Sequence, residues 1–261
     1  MPVPILKADI PIATLEQWFR LAGPKGRETQ WVDGRSAKEC ARAWLDVPDG
    51  VPAEIEQLLV QLDGGPLVVE RVEPEALLTF DGHGGPRNAD IAIWANDTQG
   101  PVAITVEAKA DESFDKLLSE VLAAGLDRRL ALATSGAFAR ATALAQALFW
   151  PRGAGEPGLD RMRYQLMTAT AGTLAMAGLH HATRAVLIVH EFQSERTSRT
   201  KLKVNSRDLD AFVNRLSRGE VKSVKPAELY GPFTVPGGDL FAAPASLYVG
   251  KAVRALGKPK P

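Results

Sequence analysis

Apolar positions recur at helical spacing through the first sixty residues, and the texture then changes to that of strands. Leu15, Trp18, Phe19 and Leu21 predict a short first helix, followed by a Gly-Pro-Lys-Gly loop. After Gly34, the apolar set Cys40, Ala43, Trp44 and Val47 predicts a second helix. Ser36 is placed to cap it, with Glu39 three residues on as a capping box requires, and Pro48 and Gly50 end it. A third helix, about 52 to 62, carries Ile55, Leu58, Leu59 and Leu62 and stops at Gly64-Gly65.

Residues 67–80 read as extended, with Val68, Val69, Val72, Leu77, Leu78 and Phe80. A glycine-rich turn from Asp81 to Pro86 leads into a second strand, 88–95. Residues 96–100 then read as a hairpin turn, and 102–109 as its partner strand. Ser113 is the expected cap of a helix through Phe114, Leu117, Leu118, Val121 and Leu122. Helical patterns follow at about 135–149 and 159–178, a buried strand at 184–192 and a last helix near 206–217. Helices, a three-strand meander, more helices and a further strand imply an α/β fold: a mixed central sheet flanked by helices.

Composition adds exclusions. Apolar residues make up 45% of the 261 and charged residues 24%, which are ordinary globular values. One cysteine, Cys40, excludes a disulfide framework and a multi-cysteine zinc site. The N-terminus lacks the basic-then-apolar order of a signal peptide, and no run nears the roughly 20 apolar residues of a membrane span. A cytoplasmic protein without membrane contact is expected. Net charge is zero, yet residues 196–261 hold 13 Lys and Arg against 5 Asp and Glu, and the first 195 hold 18 against 26. A basic final quarter could steer a polyanion, with Arg196, Arg199, Lys201 and Lys203 as the expected phosphate-binding margin; a solvated polar face gives the same letters.

The chemistry concentrates on the hairpin. Side chains alternate along a strand, so Glu107 and Lys109 share one face of 102–109 while Ile104, Val106 and Ala108 share the other. Counted outward from Gln99, Asp90 and Glu107 lie at nearly equal distance from the turn, so Asp90, Glu107 and Lys109 can meet. Two carboxylates at one spot repel unless a cation or a proton intervenes. Hard oxygen ligands suit Mg2+ or Mn2+, and a lysine beside them can act on a water or offset phosphate charge. Surface charges at the ends of a hairpin are the competing reading.

Pro86-x-x-x-Asp90 followed by Glu107-Ala108-Lys109 on the next strand resembles the signature of the PD-(D/E)XK nuclease superfamily, over about residues 35–192 and most closely its bacterial members. The pattern departs in spacing, since three residues separate Pro86 from Asp90, and residue 169 is Ala where some members carry Tyr. The resemblance implies a restriction-endonuclease-like fold and a Mg2+-dependent (or Mn2+-dependent) endonuclease. Asp90 and Glu107 would ligate the metal, Lys109 would be catalytic, and DNA would be the substrate. It also offers Glu39 as an acidic residue on the first core helix and Gln165 as a later helical site residue. Without it, Glu39 is a capping residue and Gln165 part of a solvated helix face. A catalytically silent nucleic-acid-binding or interaction protein is the alternative, and a homodimer is compatible with either. The expected organisation is an N-terminal extension at 1–30, the nuclease-like domain at 31–220, and a C-terminal extension at 221–261 with a disordered end. Glu112 could support the site, although helix starts attract acids anyway. His83 reads as a loop histidine, and His190 on an apolar strand as a satisfied core residue.

Overall fold

The computed structural model describes residues 3–47, 50–195, 197–241 and 245–256. A two-residue hairpin, β1 (Leu6–Lys7) and β2 (Ile10–Pro11), precedes α1 (Leu15–Ala22), α2 (Ser36–Leu45) and α3 (Ala53–Leu59). The meander follows as β3 (Val68–Leu78), β4 (Arg87–Asp97) and β5 (Gly100–Lys109). Next come α4 (Leu118–Ala131), α5 (Ala137–Leu148), α6 (Tyr164–Leu179), β6 (Arg184–Gln193) and α7 (Arg199–Leu216). Two more strands close the chain, β7 (Leu229–Phe233) and β8 (Ser246–Ala255). The large sheet runs β3-β4-β5-β6-β8-β7. Its first three strands are antiparallel, β5, β6 and β8 are parallel to one another, and β7 returns antiparallel. This is the α/β architecture expected from the order of elements.

Each face of the sheet buries its own core. Ile91, Ile93, Ile104, Val106 and Ile188 pack under α1–α3, with Trp44, Ile55 and Leu58. Ala92, Ala103, Ala185 and Val189 pack under the later helices, with Leu144, Leu166, Phe212 and Val213. The second face is built from alanines, which lets α6 approach closely. Gly172 of α6 lies against Leu78 and Arg87, and the Thr105 and Thr173 hydroxyls meet at 2.5 Å. Helix α6 is apolar around most of its circumference because it is buried almost all round.

Several expectations change. The described residues beyond 220 are no extension: β8 pairs with β6 over ten residues as an inner strand. Its Lys251 and Arg254 mask the strand pattern, and both charges are answered inside the fold, by Glu191 at 3.1 Å and Glu54 at 2.6 Å. Residues 257–261, expected to be disordered, lie outside the described residues. Residues 3–30 also join the body, since Ile5, Ile12 and Trp18 are buried and Ile5 bridges Val72 on the outer strand. Helix α2 takes Arg35 as N-cap, so Ser36 is its first residue; Pro48, its expected stop, lies outside the described residues. Helix α4 starts at Leu118 rather than after Ser113. Residues 115–118 spend their backbone groups on a short antiparallel bridge instead: Leu117 pairs with Arg163, Tyr164 N–H donates to Lys116 and Leu118 N–H to Met162. Helix α7 begins at Arg199, seven residues early, because Ser198 accepts the Lys201 N–H and caps the basic turn.

Candidate active site

Both faces of β5 are buried, so Glu107 and Lys109 stand beneath α6 and not on a polar surface; they are 2% and 4% exposed. This removes the reading of surface charges at a hairpin end. Asp90 reaches them by a local change of twist. Val72 and Ala76 share strand parity, as do Ile91 and Ala89, yet each pair divides between the two cores. The switch occurs where Glu75, with φ +51°, and Asp90 face each other between the pairs Pro74–Ile91 and Ala76–Ala89. A non-glycine residue in the left-handed region is uncommon, and here it rotates the strand by one residue's worth of facing. The β4–β5 ladder ends at Ile91–Val106, and the Asp90 carboxylate then accepts the next N–H, that of Ala108, at 2.7 Å. Glu75, Asp90 and Glu107 thereby stand in a row across three adjacent strands.

Glu107 is the best-held of the three. Lys109 Nζ donates to its Oε1 at 2.8 Å and Gln165 Nε2 to the same oxygen at 2.5 Å, while the Arg87 guanidinium donates to Oε2. Gln165 is itself fixed by the Asp115 N–H at 3.2 Å, a product of the bridge that delays α4. Burial acts to raise the Glu107 carboxyl, but Arg87 and Lys109 outweigh it and hold it below its ordinary range. Burial likewise opposes the Lys109 ammonium, and Glu107 and Asp90 overcome it, so its pKa rises. The ammonium also lies 5.4 Å from the Phe114 ring centroid. Asp90 goes the other way: burial first, then Glu107 and Glu75, push it up to about 8 against the weaker pull of Lys109. Glu75 is raised too, by burial and by Glu107, although the Asn88 amide donates to its Oε2.

Glu75, Asn88, Asp90, Glu107, Lys109 and Gln165 line a cleft of about 570 Å³. Its acids are Glu75, Asp90, Glu107 and Glu112, and its cations are Lys109, Lys25 and Arg35. Larger hollows of about 720 and 800 Å³ exist elsewhere, but neither brings three carboxylates together. Residues 11–246 match the family model described as "Domain of unknown function (DUF6946)". The chain belongs to that family. The DUF6946 match takes in every residue of the cleft, and no curated protein and no solved structure matches the chain.

Of the residues expected at the site, Asp90, Glu107, Lys109 and Gln165 converge. Glu39 does not line the cleft; its Oε1 accepts the Gly34 N–H at 2.8 Å and Arg42 at 2.7 Å, which ties down the start of α2. Lys201 lies at the same sheet edge as Lys109, bound to Asp111 at 3.3 Å, and Arg35 is near enough to help depress that same carboxyl. Arg199 and Lys203 are exposed on the first turns of α7 without lining the cleft, and Arg196 lies outside the described residues. Glu75, Arg87, Lys25 and Arg35 escaped the sequence reading. Pro74 marks an edge strand, but nothing in Val-Glu-Pro-Glu-Ala separates Glu75 from Glu70 or Glu73.

The chemistry of the donor set bears on a metal. Among the described residues, no group of three or more His, Cys, Asp or Glu already converges on one point as metal ligands do, and Glu107 already accepts from three protein donors. Asp90 and Glu75 form no ion pair among the described residues, and the buried Asn88 Oδ1 beside them has no hydrogen-bond partner there. Carboxyl oxygens that no side-chain cation bonds fit a hard divalent cation, whose charge would take the place of the proton that burial and crowding favour there.

Proposed function

We propose that this chain is a divalent-metal-dependent nuclease of the PD-(D/E)XK kind, hydrolysing phosphodiester bonds of DNA. One observation carries the reading: a buried lysine, Lys109, is held 2.8 Å from Glu107 at the open end of a hairpin where Asp90 and Glu75 also stand. Asp90 and Glu107 are the residues that would hold Mg2+ or Mn2+, with Glu75 beside them. The ion, when bound, supplies positive charge and an acidified water. Lys109 keeps a proton at Nζ and is placed to offset charge that grows on a phosphate. Gln165 fixes the rotamer of Glu107, and Lys25 and Arg35 give the cleft its further positive charge.

A second reading has an observation of its own. Arg87 and Lys109 already neutralise Glu107 without any metal, as a catalytically silent nucleic-acid-binding protein on this fold would require. Cleavage of supercoiled plasmid and of a labelled single strand, with Mg2+ or Mn2+, separates the two. Under the nuclease reading Lys109→Ala lowers cleavage by about 10²-fold or more, and Glu107→Ala abolishes it. Wild-type rates in both variants would sink it. Absent cleavage by any form, with a retained gel shift of DNA, would leave the silent reading standing.

A further inference from the structure

Three side chains donate to Glu107, and one of them lies outside the strand motif. Lys109 and Gln165 share Oε1, whereas Arg87, the first residue of β4, takes Oε2. The Arg87 side chain is 14% exposed, and its stem runs along the bare backbone of Gly172; a Cβ there would stand 3.4 Å from Arg87 Cγ. Its Nε, like that of Arg184, is buried without a hydrogen-bond partner among the described residues, so the two differ in what their terminal nitrogens grip. Arg184 shows how a guanidinium fixed for structure is held in this fold: two nitrogens grip Asp97, and one of them also reaches the Gly100 carbonyl. Among the described residues Arg87 makes one hydrogen bond, to a carboxylate that carries two other donors.

Resting on the metal-dependent reading above, we propose that Arg87 is an internal counter-ion that a divalent cation displaces from Glu107. Guanidinium and metal are like charges, and they repel one another when both contact Oε2. In the metal-free protein Arg87 holds the Glu107 carboxylate in place, so the group is oriented without refolding. The cost is affinity: the ion binds only the fraction of molecules in which Arg87 has let go. Arg87 is thus a positioning residue whose removal should tighten cation binding while loosening the empty site.

Isothermal titration with Mn2+ on the full chain tests this, comparing wild type, Arg87→Gln, Arg87→Lys and Asp90→Asn. If Arg87 occupies Glu107 about nine-tenths of the time, Arg87→Gln binds Mn2+ about 10-fold more tightly. Arg87→Lys, which keeps the charge on a shorter and more mobile head, falls between the two and also serves should the glutamine variant fold poorly. Melting without cation gives a second readout: Arg87→Gln unfolds at lower temperature than wild type, and Mn2+ narrows the gap. Equal or weaker Mn2+ affinity in both Arg87 variants overturns the competition, and Asp90-dependent binding by wild type would then leave the metal reading intact. Absence of binding in every form overturns both. Binding confined to Arg87→Gln supports the competition and favours the silent reading of the natural chain.

Discussion

The β4–β5 hairpin carries carboxylates at both of its ends, and the two ends handle them in opposite ways. At the closed end, the Asp97 side chain is fully buried and gripped by both terminal nitrogens of Arg184, at 2.6 and 2.5 Å, with the Gln99 N–H at 2.8 Å. One acid meets one base, and Arg184 first among the causes holds the Asp97 carboxyl below its ordinary range. At the open end Glu75, Asp90 and Glu107 stand in a row: Arg87 and Lys109 both bond Glu107, Lys7 pulls on Glu75, and among the described residues no cation bonds Asp90. Asp90 is driven up to about 8. The same pair of strands therefore holds a balanced ion pair that closes the turn and an unbalanced group that invites a cation.

The largest effect expected from breaking this contrast is at the closed end. Asp97→Ala leaves the Arg184 guanidinium buried and uncompensated, at a cost of about 3–5 kcal/mol. Denaturant unfolding should show a lower midpoint with an unchanged slope, and a shift smaller than about 1 kcal/mol would refute the structural role.

Glu54 offers an intermediate case. It behaves like Asp97: burial acts to raise its carboxyl, but hydrogen bonds from His190 at 2.8 Å and Arg254 at 2.6 Å pull it down to about 2. A carboxyl depressed in the folded state adds stability that is present above its unfolded pKa and lost as pH falls through the folded one. Glu54→Gln should therefore cost about 1–2 kcal/mol at pH 7, discounted for partial solvent screening, and the gap should shrink between pH 4.5 and 2. A gap that widens on acidification would contradict this sign.

The smallest effect, and the one of opposite sign, belongs to Asp90. Asparagine keeps an oxygen for the Ala108 N–H but removes a carboxyl that burial, Glu107 and Glu75 force to hold a proton. Without cation, Asp90→Asn should be as stable as wild type or more stable by about 1 kcal/mol. Destabilisation by several kcal/mol in that state would mean that the open end is a structural ion network like the closed one.

Much of this was legible from residue order. The apolar runs of β4, β5 and β6 and the helical period of α1–α3 give the mixed sheet, and strand parity together with distance from the turn brings Asp90, Glu107 and Lys109 together. Local pattern failed where tertiary partners decide. Lys251 and Arg254 look like surface residues until Glu191 and Glu54 answer them from other elements, so β8 was read as an extension. Residues 115–117 read as helix until the bridge to Arg163 claims their backbone. Glu75 enters the site through a positive φ that no spacing announces, and Arg87 through the close approach of α6 permitted by Gly172. Glu39 kept the acidic identity that suggested a site role, but its hydrogen bonds bind it to Gly34 and Arg42.

The central claim, that the open end of the hairpin is a cation site, is tested most directly by a crystal soaked in millimolar Mn2+ and measured for anomalous scattering. The account predicts one strong peak within about 2.0–2.4 Å of oxygens from Asp90 and Glu107, with water completing most of the shell and the Arg87 guanidinium moved off Glu107. An empty cleft with Arg87 still seated on Glu107, at an Mn2+ concentration that labels other carboxylates on the surface, would contradict it.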